Sequence, residues 1–273
     1  MAKDLSQERF MLLELLAWWQ GSVTNSQLVK ALDISRQQAY SDIKKYCKLH
    51  PHNLIHAKQG YIPSTTFKAH YISGDVSQFL SWWSTGSILN TKLTSSHVVQ
   101  LAIPTRKVSV KVIRALVKAI IQQKSVEAAY VSLSHPENDG RIFHPHTFVN
   151  TGLRWHVRGY CEKAQDYRDL VLSRFHDDIE LLEDSSHPIE LDEAWLQTIK
   201  IILKPDQRLS IQQQSVLAND YQLNDGLLII ETRAALANYI LHEMKVNTKM
   251  LDGTPEAQQW IVVNIADIKQ WMF

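Results

Sequence analysis

The run "GLRWHVRGYC", residues 152–161, constrains the fold most, because it combines the composition of a β-strand with a row of charged side chains. Successive side chains of a strand point to opposite faces of its sheet. Trp155 and Val157 therefore share an apolar face. The opposite face carries Arg154, His156, Arg158 and Tyr160. We expect one face to meet a core and the other to meet a polar partner or ligand.

Three further segments around this run have strand patterns. The first, "SVEAAYVSLS", places Tyr130, Ser132 and Ser134 on one face, and "HPENDG" after it is typical of a turn. The second, "RIFHPHTFVNTG", is interrupted at Pro145 and ends in a Thr-Gly turn. The last, "DYRDLVLSRFHDDIELLE", places Arg174 on the same face as two leucines. Several short strands with regular turns predict a small antiparallel β-barrel.

Three helical patterns occupy the first fifty residues. "LSQERFMLLELLAWWQG" has apolar residues at helical spacing, with Ser6 as its expected N-cap and Gly21 as its expected end. "SVTNSQLVKALD" follows, with Thr24 as its cap. After the short break "DIS", Ser35 is the expected cap of "SRQQAYSDIKKYCKLH", whose apolar stripe has three- and four-residue spacing. This succession predicts a helix-turn-helix.

The outward face of the third helix carries side chains of the types suited to reading duplex DNA. Arg and Gln form paired hydrogen bonds with guanine and adenine edges in the major groove, whereas Lys suits phosphates. The expected base-reading residues, beside the capping Ser35, are Arg36, Gln37, Gln38, Tyr40 and Ser41. The expected phosphate contacts on this helix are Lys44, Lys45 and Lys48.

A hairpin pattern follows the third helix. "NLIHAKQGYIPS" alternates apolar and polar residues around a turn of Lys58, Gln59 and Gly60. This pattern predicts a wing with Lys58 at its tip, as a further phosphate contact. A small helical domain with a solvated polar face would show similar helical spacing. The cap, the Arg-Gln-Gln first turn and the basic hairpin together favour a winged helix that binds DNA.

The charges of the chain are unevenly distributed. Residues 1–125 contain 16 Lys and Arg against 6 Asp and Glu, and residues 126–273 contain 13 against 22, within a net charge of +1. A basic front half indicates that this end meets a polyanion. No apolar run is long enough for a membrane span, and Cys47 and Cys161 have no metal or redox spacing. We therefore expect a reducing, cytoplasmic setting.

The middle of the chain, residues 64–104, has the least legible pattern. "VSQFLSWWSTGSIL" has the composition of an apolar helix, and its two tryptophans suit a core or an interface. "TRKVSVKVIRALVKAIIQQ" has one apolar face and a separate basic stripe. That stripe suits contacts with the DNA backbone or simple exposure to solvent, and it consists of Lys107, Lys111, Arg114 and Lys118.

The runs "RIFHPHTFVNTG" and "RWHVRGYCEKAQDYRDLVLSRF" resemble the WYL domain. The letters of the family name fall on residues 155–157, where His and Val replace Tyr and Leu. The segments "IKIILKPDQRLSIQQQSVLANDY" and "IIETRAALANYILHEM" are similar to the WCX extension at the C-terminus of these proteins. With its predicted winged helix, the chain resembles WYL-domain repressors linked to anti-phage defence operons such as BREX and CBASS, over nearly all its length except 64–104.

The resemblance implies an α+β homodimer that represses transcription from an inverted-repeat operator. It implies an N-terminal winged helix-turn-helix, 1–66, and a helical linker or dimerisation segment, 67–124. An Sm-like (SH3-like) antiparallel β-barrel, the WYL domain, would occupy 125–185 and sense a ligand. A small C-terminal α/β dimerisation domain resembling WCX would occupy 186–273. Neither a cofactor nor a metal is expected.

The family's ligand pocket is polar and basic. Guanidinium groups offer planar sets of donors to phosphate, and Ser and His add further donors, so the expected ligand is a nucleotide or a nucleic-acid-derived molecule. Salt bridges to nearby acidic residues are the alternative use of the arginines. The positions that the resemblance carries over are Tyr130, Ser132, Ser134, Arg141, His146, Arg154, His156, Arg158, Tyr160 and Arg174.

Other functions remain open at this point. "HDD", residues 176–178, imitates a carboxylate metal site such as that of a metal-dependent nuclease, although a turn is the simpler interpretation. His144 and His146 face the same way, but zinc sites usually need three or four ligands. We find no phosphate-binding glycine loop or catalytic triad motif. A regulator rather than an enzyme is therefore expected, and an activator of the same architecture is the alternative to a repressor.

Overall fold

The structure, a computed structural model, describes residues 5–85, 104–133, 136–137, 139–251 and 253–272. The chain divides into two compact units, Met1–Ser186 and His187–Phe273. Ser134 and residues 86–103 of the predicted linker lie outside the described residues. In the part of the chain that is described, no helix combines the length and apolar character needed to cross a bilayer.

The first helix is longer than an ordinary α-helix. Helix α1, Leu5–Leu15, continues into a π-helical segment, Leu16–Gln20. The segment ends at Gly21, which has φ of +88° and occupies the left-handed region, as the sequence predicts. The prediction for Ser6 is wrong, because Ser6 lies inside α1 and an N-cap precedes the first helical residue.

The predicted helix-turn-helix is present. Helix α2, Asn25–Leu32, begins with a capping box in which Thr24 accepts a hydrogen bond from the backbone of Gln27. Helix α3, Arg36–Leu49, is capped by Ser35, whose hydroxyl accepts from the backbone N–H of Gln38 at 3.1 Å. These caps satisfy backbone donors that have no partner within a helix, and so they fix where each helix begins.

The predicted wing is also present. Strands β1, Leu54–Ala57, and β2, Gly60–Pro63, pair antiparallel around the two-residue turn at Lys58. Gly60 has φ of +112°, and a Cβ atom built on it would lie 2.6 Å from the carbonyl oxygen of Val23. Only glycine therefore lets the wing approach the segment before α2 this closely.

The first helix shares one hydrophobic cluster with the central sheet, while the winged helix also has a second cluster of its own. Helices α4, Val76–Thr85, and α5, Val110–Gln122, lie between the winged helix and the sheet in sequence. Leu15 and Trp19 from the first helix are buried in the same cluster as Phe79 of α4. The other buried members of this cluster include Val112, Ile113, Leu116, Val126, Phe143 and Val157. The first unit is therefore packed as a single body.

The central sheet has five antiparallel strands in the order β6-β5-β4-β3-β7. Within the described residues no ladder joins β6 to β7, so the sheet is open and the predicted closed barrel is not confirmed. The strands are β3, Lys124–Tyr130; β4, Asp139–Asn150; β5, Trp155–Cys161; β6, Asp166–Val171; and β7, Phe175–Asp184.

Three details of this sheet differ from the sequence prediction. Strand β3 ends at Tyr130, so Ser132 lies beyond the strand on which it was predicted. The last predicted strand is two strands, because a 3-10 turn at Leu172–Arg174 separates β6 from β7. Residues 176–178, predicted as a turn, lie inside β7. A few polar residues between two apolar runs are compatible with either a strand or a tight turn, so the sequence pattern alone does not decide between them.

The second unit is a three-stranded antiparallel sheet with helices packed on one face. Strand β8, Thr198–Pro205, lies between β9, Leu228–Arg233, and β10, Trp260–Val262. The core includes Ile201, Leu203 and Trp260. The helices of this unit are α6, Glu193–Leu196; α7, Ile211–Asp220; α8, Ala237–Glu243; and α9, Ile265–Ile268.

Candidate functional site

The predicted DNA-reading side chains lie on the surface of α3. With about 100° of rotation per residue, six of them occupy an arc of about 140° on the side opposite the core, namely Arg36, Gln37, Tyr40, Ser41, Lys44 and Lys48. Tyr40 is 53% exposed although it is aromatic. The exposed members of the predicted set are Ser35, Arg36, Gln37, Gln38, Tyr40, Ser41, Lys44, Lys45, Lys48 and, on the wing, Lys58.

The acidic residue of α3 is withdrawn from this surface. Asp42 is buried, and its carboxylate lies 2.7 Å from Nε of Arg9. The side-chain amide of Gln38 donates to the same carboxylate at 2.9 Å. The exposed face of α3 therefore carries cations without a competing carboxylate, while Gln38 is held at the flank of that face.

Lys45 is also at the flank. Its ammonium group lies 5.9 Å from the ring centroid of Phe10, at the range of a cation–π contact. The tip of the wing is free of such contacts in the described structure, and Lys58 lies in an open cleft that also includes Thr24 and Ser26 at the start of α2. Wing and recognition helix thus both present basic groups to solvent.

A buried polar network that sequence reasoning missed holds α3 in place. The hydroxyl of Tyr46 donates to the carboxylate of Glu14 at 2.7 Å, and Asn53 donates to the same hydroxyl at 2.8 Å. Glu14 also accepts backbone hydrogen bonds from residues 70–72. Burial and the bond with Glu14 raise the pKa of Tyr46. The signal in the sequence that could have revealed this network was Glu14, an acidic residue inside an apolar run.

Eight of the ten ligand residues predicted from the resemblance fall into three groups, while Ser132 follows β3 and Ser134 lies outside the described residues. The first lies on the core side of the sheet. Tyr130 is buried, and its hydroxyl accepts from the backbone N–H of Val171 at 3.1 Å. The guanidinium of Arg141 lies 5.0 Å from the Tyr130 ring centroid and donates toward Sγ of Cys161 at 3.9 Å. These two side chains support the packing of the sheet.

The second group lies on the opposite face. Arg158 and Asp169 form a buried ion pair at 3.2 Å, with both side chains 3% exposed. Arg158 therefore forms a salt bridge, which was the alternative to a ligand contact for the arginines of this strand. On the same face the ring of Tyr160 lies 5.3 Å from that of Tyr167, and Nδ1 of His146 lies 2.9 Å from the hydroxyl of Thr147. The side chains of this face form a polar layer around Arg158, whose charge is neutralised by Asp169.

The third group is a basic cluster around His156, which is 5% exposed. Burial, followed by the charges of Arg154, Arg174 and Arg106, lowers the pKa of His156 to about 4. Among the described residues, none of these three arginines forms an ion pair. An uncompensated group of three guanidinium groups is the arrangement that attracts an anion.

A cavity adjoins the basic cluster. It has a volume of about 240 Å³, and its wall includes Arg106, Arg154, Ser77 and Ser173. The indole of Trp155 donates to the hydroxyl of Ser77 at 3.1 Å and joins the sheet to the start of α4. Arg106 was not predicted, because a single arginine after an irregular segment has no pattern that distinguishes it from a solvated residue.

The basic stripe of α5 is interrupted. Lys107, Lys111 and Lys118 are exposed, but Arg114 is half-buried and donates to the backbone oxygen of Trp18 at 2.8 Å. The guanidinium of Arg114 therefore binds within the first unit, and the contact of the basic stripe with DNA stays a prediction. Among the described residues, no three His, Cys, Asp or Glu side chains gather as a metal site. The side chains of residues 177–178 lie outside the described structure.

The fold combines a winged helix with a sheet that carries a basic cluster. Comparison with known families identifies the type of each domain. The model of the BrxR transcriptional regulator winged helix-turn-helix domain matches residues 5–85, and the WYL domain matches residues 111–180. The model of the BrxR transcriptional regulator C-terminal dimerization domain matches residues 198–268. The chain therefore contains a winged helix-turn-helix domain and a C-terminal dimerization domain of the BrxR transcriptional regulator type, with a WYL domain between them.

Individual relatives agree with this class. The DNA-binding transcriptional repressor CapW of Pseudomonas aeruginosa is 29% identical over 96% of this chain and 90% of its own length. CapW of Escherichia coli strain KTE188 is 29% identical with the same coverage. Among solved structures, Proteasome accessory factor B/C of Arthrobacter aurescens matches 97% of this chain and 46% of its own, at 13% identity and a TM-score of 0.25.

Proposed function

We propose that this chain is a homodimeric, sequence-specific DNA-binding repressor that acts in the cytoplasm. The observation that carries the proposal is the exposed face of α3, which presents arginine, glutamine and lysine side chains while its carboxylate, Asp42, is buried. The names of the CapW relatives support repression rather than activation or catalysis. The match to a dimerization domain supports the homodimer.

The roles on α3 follow from position. Arg36, Gln37, Tyr40 and Ser41 lie in the first turns of α3, where a recognition helix meets base edges in the major groove. Gln38 would contact a base through its Oε1 and second amide N–H, because its hydrogen bond with Asp42 uses only one N–H. The phosphate contacts are assigned to Lys44, Lys45, Lys48 and Lys58. Two such helices in a two-fold dimer match an inverted repeat.

We assign the four segments of the chain distinct roles. Residues 1–66 read DNA, 67–124 connect and take part in dimerisation, 125–185 sense the ligand, and 186–273 hold the dimer. The winged-helix match continues to residue 85. We therefore expect α4 to act with the DNA-reading segment, although it lies after the proposed boundary.

The ligand of the WYL domain is proposed to be a nucleotide or a nucleic-acid-derived molecule. Its phosphate would meet Arg106, Arg154 and Arg174, because these guanidinium groups have no carboxylate partner in the described structure and two of them line the cavity. Ligand binding regulates DNA binding only if the ligand binds the two functional states with different affinities. The remaining predicted ligand residues would act by holding this cluster in position.

The controlled genes are proposed to form a phage-defence operon. This part of the proposal rests on the resemblance to regulators linked to defence operons and on the match to BrxR domains. Deleting the gene in its own host should raise transcription of the neighbouring operon. Unchanged transcripts would remove the repressor assignment, and reduced transcripts would favour an activator.

Binding to DNA is tested directly by titrating the purified full-length protein against its own promoter fragment and a random duplex of equal length. Fluorescence anisotropy at about 150 mM salt should give at least a tenfold preference for the promoter, because specific sites bind far more tightly than random DNA. Equal affinity for the two duplexes would contradict the proposal. Cleavage of either duplex with added Mg²⁺ would favour the nuclease alternative.

A further inference from the structure

The open face of the C-terminal sheet carries an apolar row. Ile201 and Leu203 of β8 point into the core, so Ile202 between them points to the opposite face. Ile202 lies directly opposite Ile229 of β9. On its other side the backbone N–H of Val263 donates to the carbonyl of Ile202 at 2.8 Å. Ile229 and Val263 remain 49% and 48% exposed.

The row continues into a groove beside β10. Ile261 lies two residues before Val263 and therefore faces the same side. At this edge of the sheet Ile261 also lines a groove of about 270 Å³ with Met250 and Leu251 and with the core-side residues Val262 and Ile265. We call the apolar side chains of the open face the open-face strip: Ile202, Ile229, Ile261 and Val263. Contiguous exposed apolar side chains of this kind mark a binding surface.

Both signs of charge flank the strip. Lys200 and Glu231 occupy the next cross-strand position on the same face, with Nζ and Oε1 3.2 Å apart and side chains 62% and 63% exposed. A two-fold interface brings the same patch of each copy together, so the patch must be complementary to itself. An apolar strip beside one cation and one anion satisfies this requirement, since each lysine can meet the partner's glutamate.

We propose that the open-face strip packs against the same strip of a second copy of this chain. The inference deepens the proposed function, because it rests on the homodimer and names the surface that forms it. The matched dimerization domain, residues 198–268, contains all four side chains of the strip. The core face of the sheet is already covered by helices of the same unit, which leaves the open face for the partner.

The test uses the full-length chain with Ile229→Glu and, separately, Val263→Glu. Each change places a carboxylate in the centre of the apolar interface, where it loses water without gaining a partner. The matched control is Val216→Glu on α7, which is 57% exposed and lies outside the strip. Light scattering after size exclusion should show a dimer dissociation constant raised about 100-fold or more for the strip variants and an unchanged constant for the control.

Circular dichroism and thermal melting separate dissociation from unfolding, and the milder Ile229→Ser gives a second measurement if Ile229→Glu fails to fold. Strip variants that fold and remain dimers of wild-type affinity would overturn the inference. Equal dissociation of the control would also overturn it. Promoter titration of the wild type is read separately. If the wild type prefers its promoter but the strip variants still dimerise with wild-type affinity, only this inference fails. If the wild type dimerises but shows no promoter preference, only the proposed function fails.

Discussion

The guanidinium of Arg114 on α5 donates a hydrogen bond from Nε to the backbone carbonyl oxygen of Trp18 at 2.8 Å. The same guanidinium lies 5.5 Å from the centroid of the Trp18 ring. Trp18 belongs to the π-helical segment that ends the first helix of the DNA-reading domain. One side chain of the WYL region therefore holds the backbone of the winged helix, at a segment whose carbonyls lack regular α-helical partners.

Arg114→Met should destabilise the first unit by about 1–2 kcal/mol. Methionine keeps the apolar stem against Trp18 but removes the donor to the carbonyl. The measurement is urea denaturation followed by tryptophan fluorescence. Lys118→Met on the exposed side of the same helix is the control and should change the free energy of unfolding little. Equal stability of the two variants would show that the hydrogen bond contributes nothing.

Arg36→Ala and Lys48→Ala should weaken DNA binding in different ways. Losing Arg36 should reduce promoter preference by about 1–3 kcal/mol, because a base contact discriminates between sequences. Losing Lys48 should weaken promoter and random duplex alike, and reduce the salt slope of log K by about one. Anisotropy titrations over several salt concentrations measure both effects. An Arg36→Ala protein with intact promoter preference would remove Arg36 from base reading.

Arg106→Ala and Arg154→Ala should each weaken binding of a nucleoside monophosphate about tenfold or more, since charge-assisted bonds to phosphate are strong. Isothermal titration with adenosine monophosphate measures the affinity. Arg168→Ala is the control, because Arg168 is exposed and paired with Asp166 outside the cluster. If the monophosphate binds the wild type and both variants equally, the cluster does not contact phosphate.

Arg158→Met should cost about 3–5 kcal/mol, because it leaves the carboxylate of Asp169 buried without its cation. Arg158→Met combined with Asp169→Leu should recover most of that loss, since neither charge then remains in the polar layer. Chemical denaturation of both single variants and the double variant completes the cycle. Additive losses would mean that the two residues act independently, against the short contact in the structure.

His156 should make the first unit less stable in mild acid. Its pKa in the folded protein is lowered to about 4 from an ordinary value of 6.5, so protons bind the unfolded chain preferentially. The neutral imidazole of His156 makes its full contribution to the free energy of unfolding above pH 6.5, and this contribution is lost as the pH falls from 6.5 toward 4. Between pH 7 and pH 5 this loss is about 2 kcal/mol. His156→Asn should lack that part of the pH dependence in denaturation curves, and an unchanged profile would contradict the assignment.

The local elements were largely predictable because short-range chemistry determines them. The caps at Thr24 and Ser35, the end of the first helix at Gly21 and the hairpin turn at Gly60 each depend on one residue and its neighbours. The two faces of β5 followed from alternation, because Val157 lies in the core while His156 and Arg158 lie on the other side. These relations need no knowledge of the rest of the chain.

The composition of the candidate ligand site was less predictable because it depends on contacts distant in sequence. Asp169 neutralises Arg158 from the neighbouring strand, and Arg106 joins the cluster from an irregular segment before α5. Tyr130 and Arg141 follow the family pattern but lie on the core side of the sheet. Alternation gives the face of a side chain within one strand, whereas neutralisation and cavity formation depend on which strands are neighbours.

The common core of the first helix, α4 and the central sheet has a consequence for how such regulators diversify. Because Trp19 and Phe79 pack in the same cluster as the central sheet, the winged helix cannot be exchanged as a separate domain without exposing apolar surface on both sides of the boundary. New operator preferences are therefore expected to arise by single replacements on the outer turns of α3, where Arg36 and Gln37 contact nothing that the rest of the molecule needs for folding.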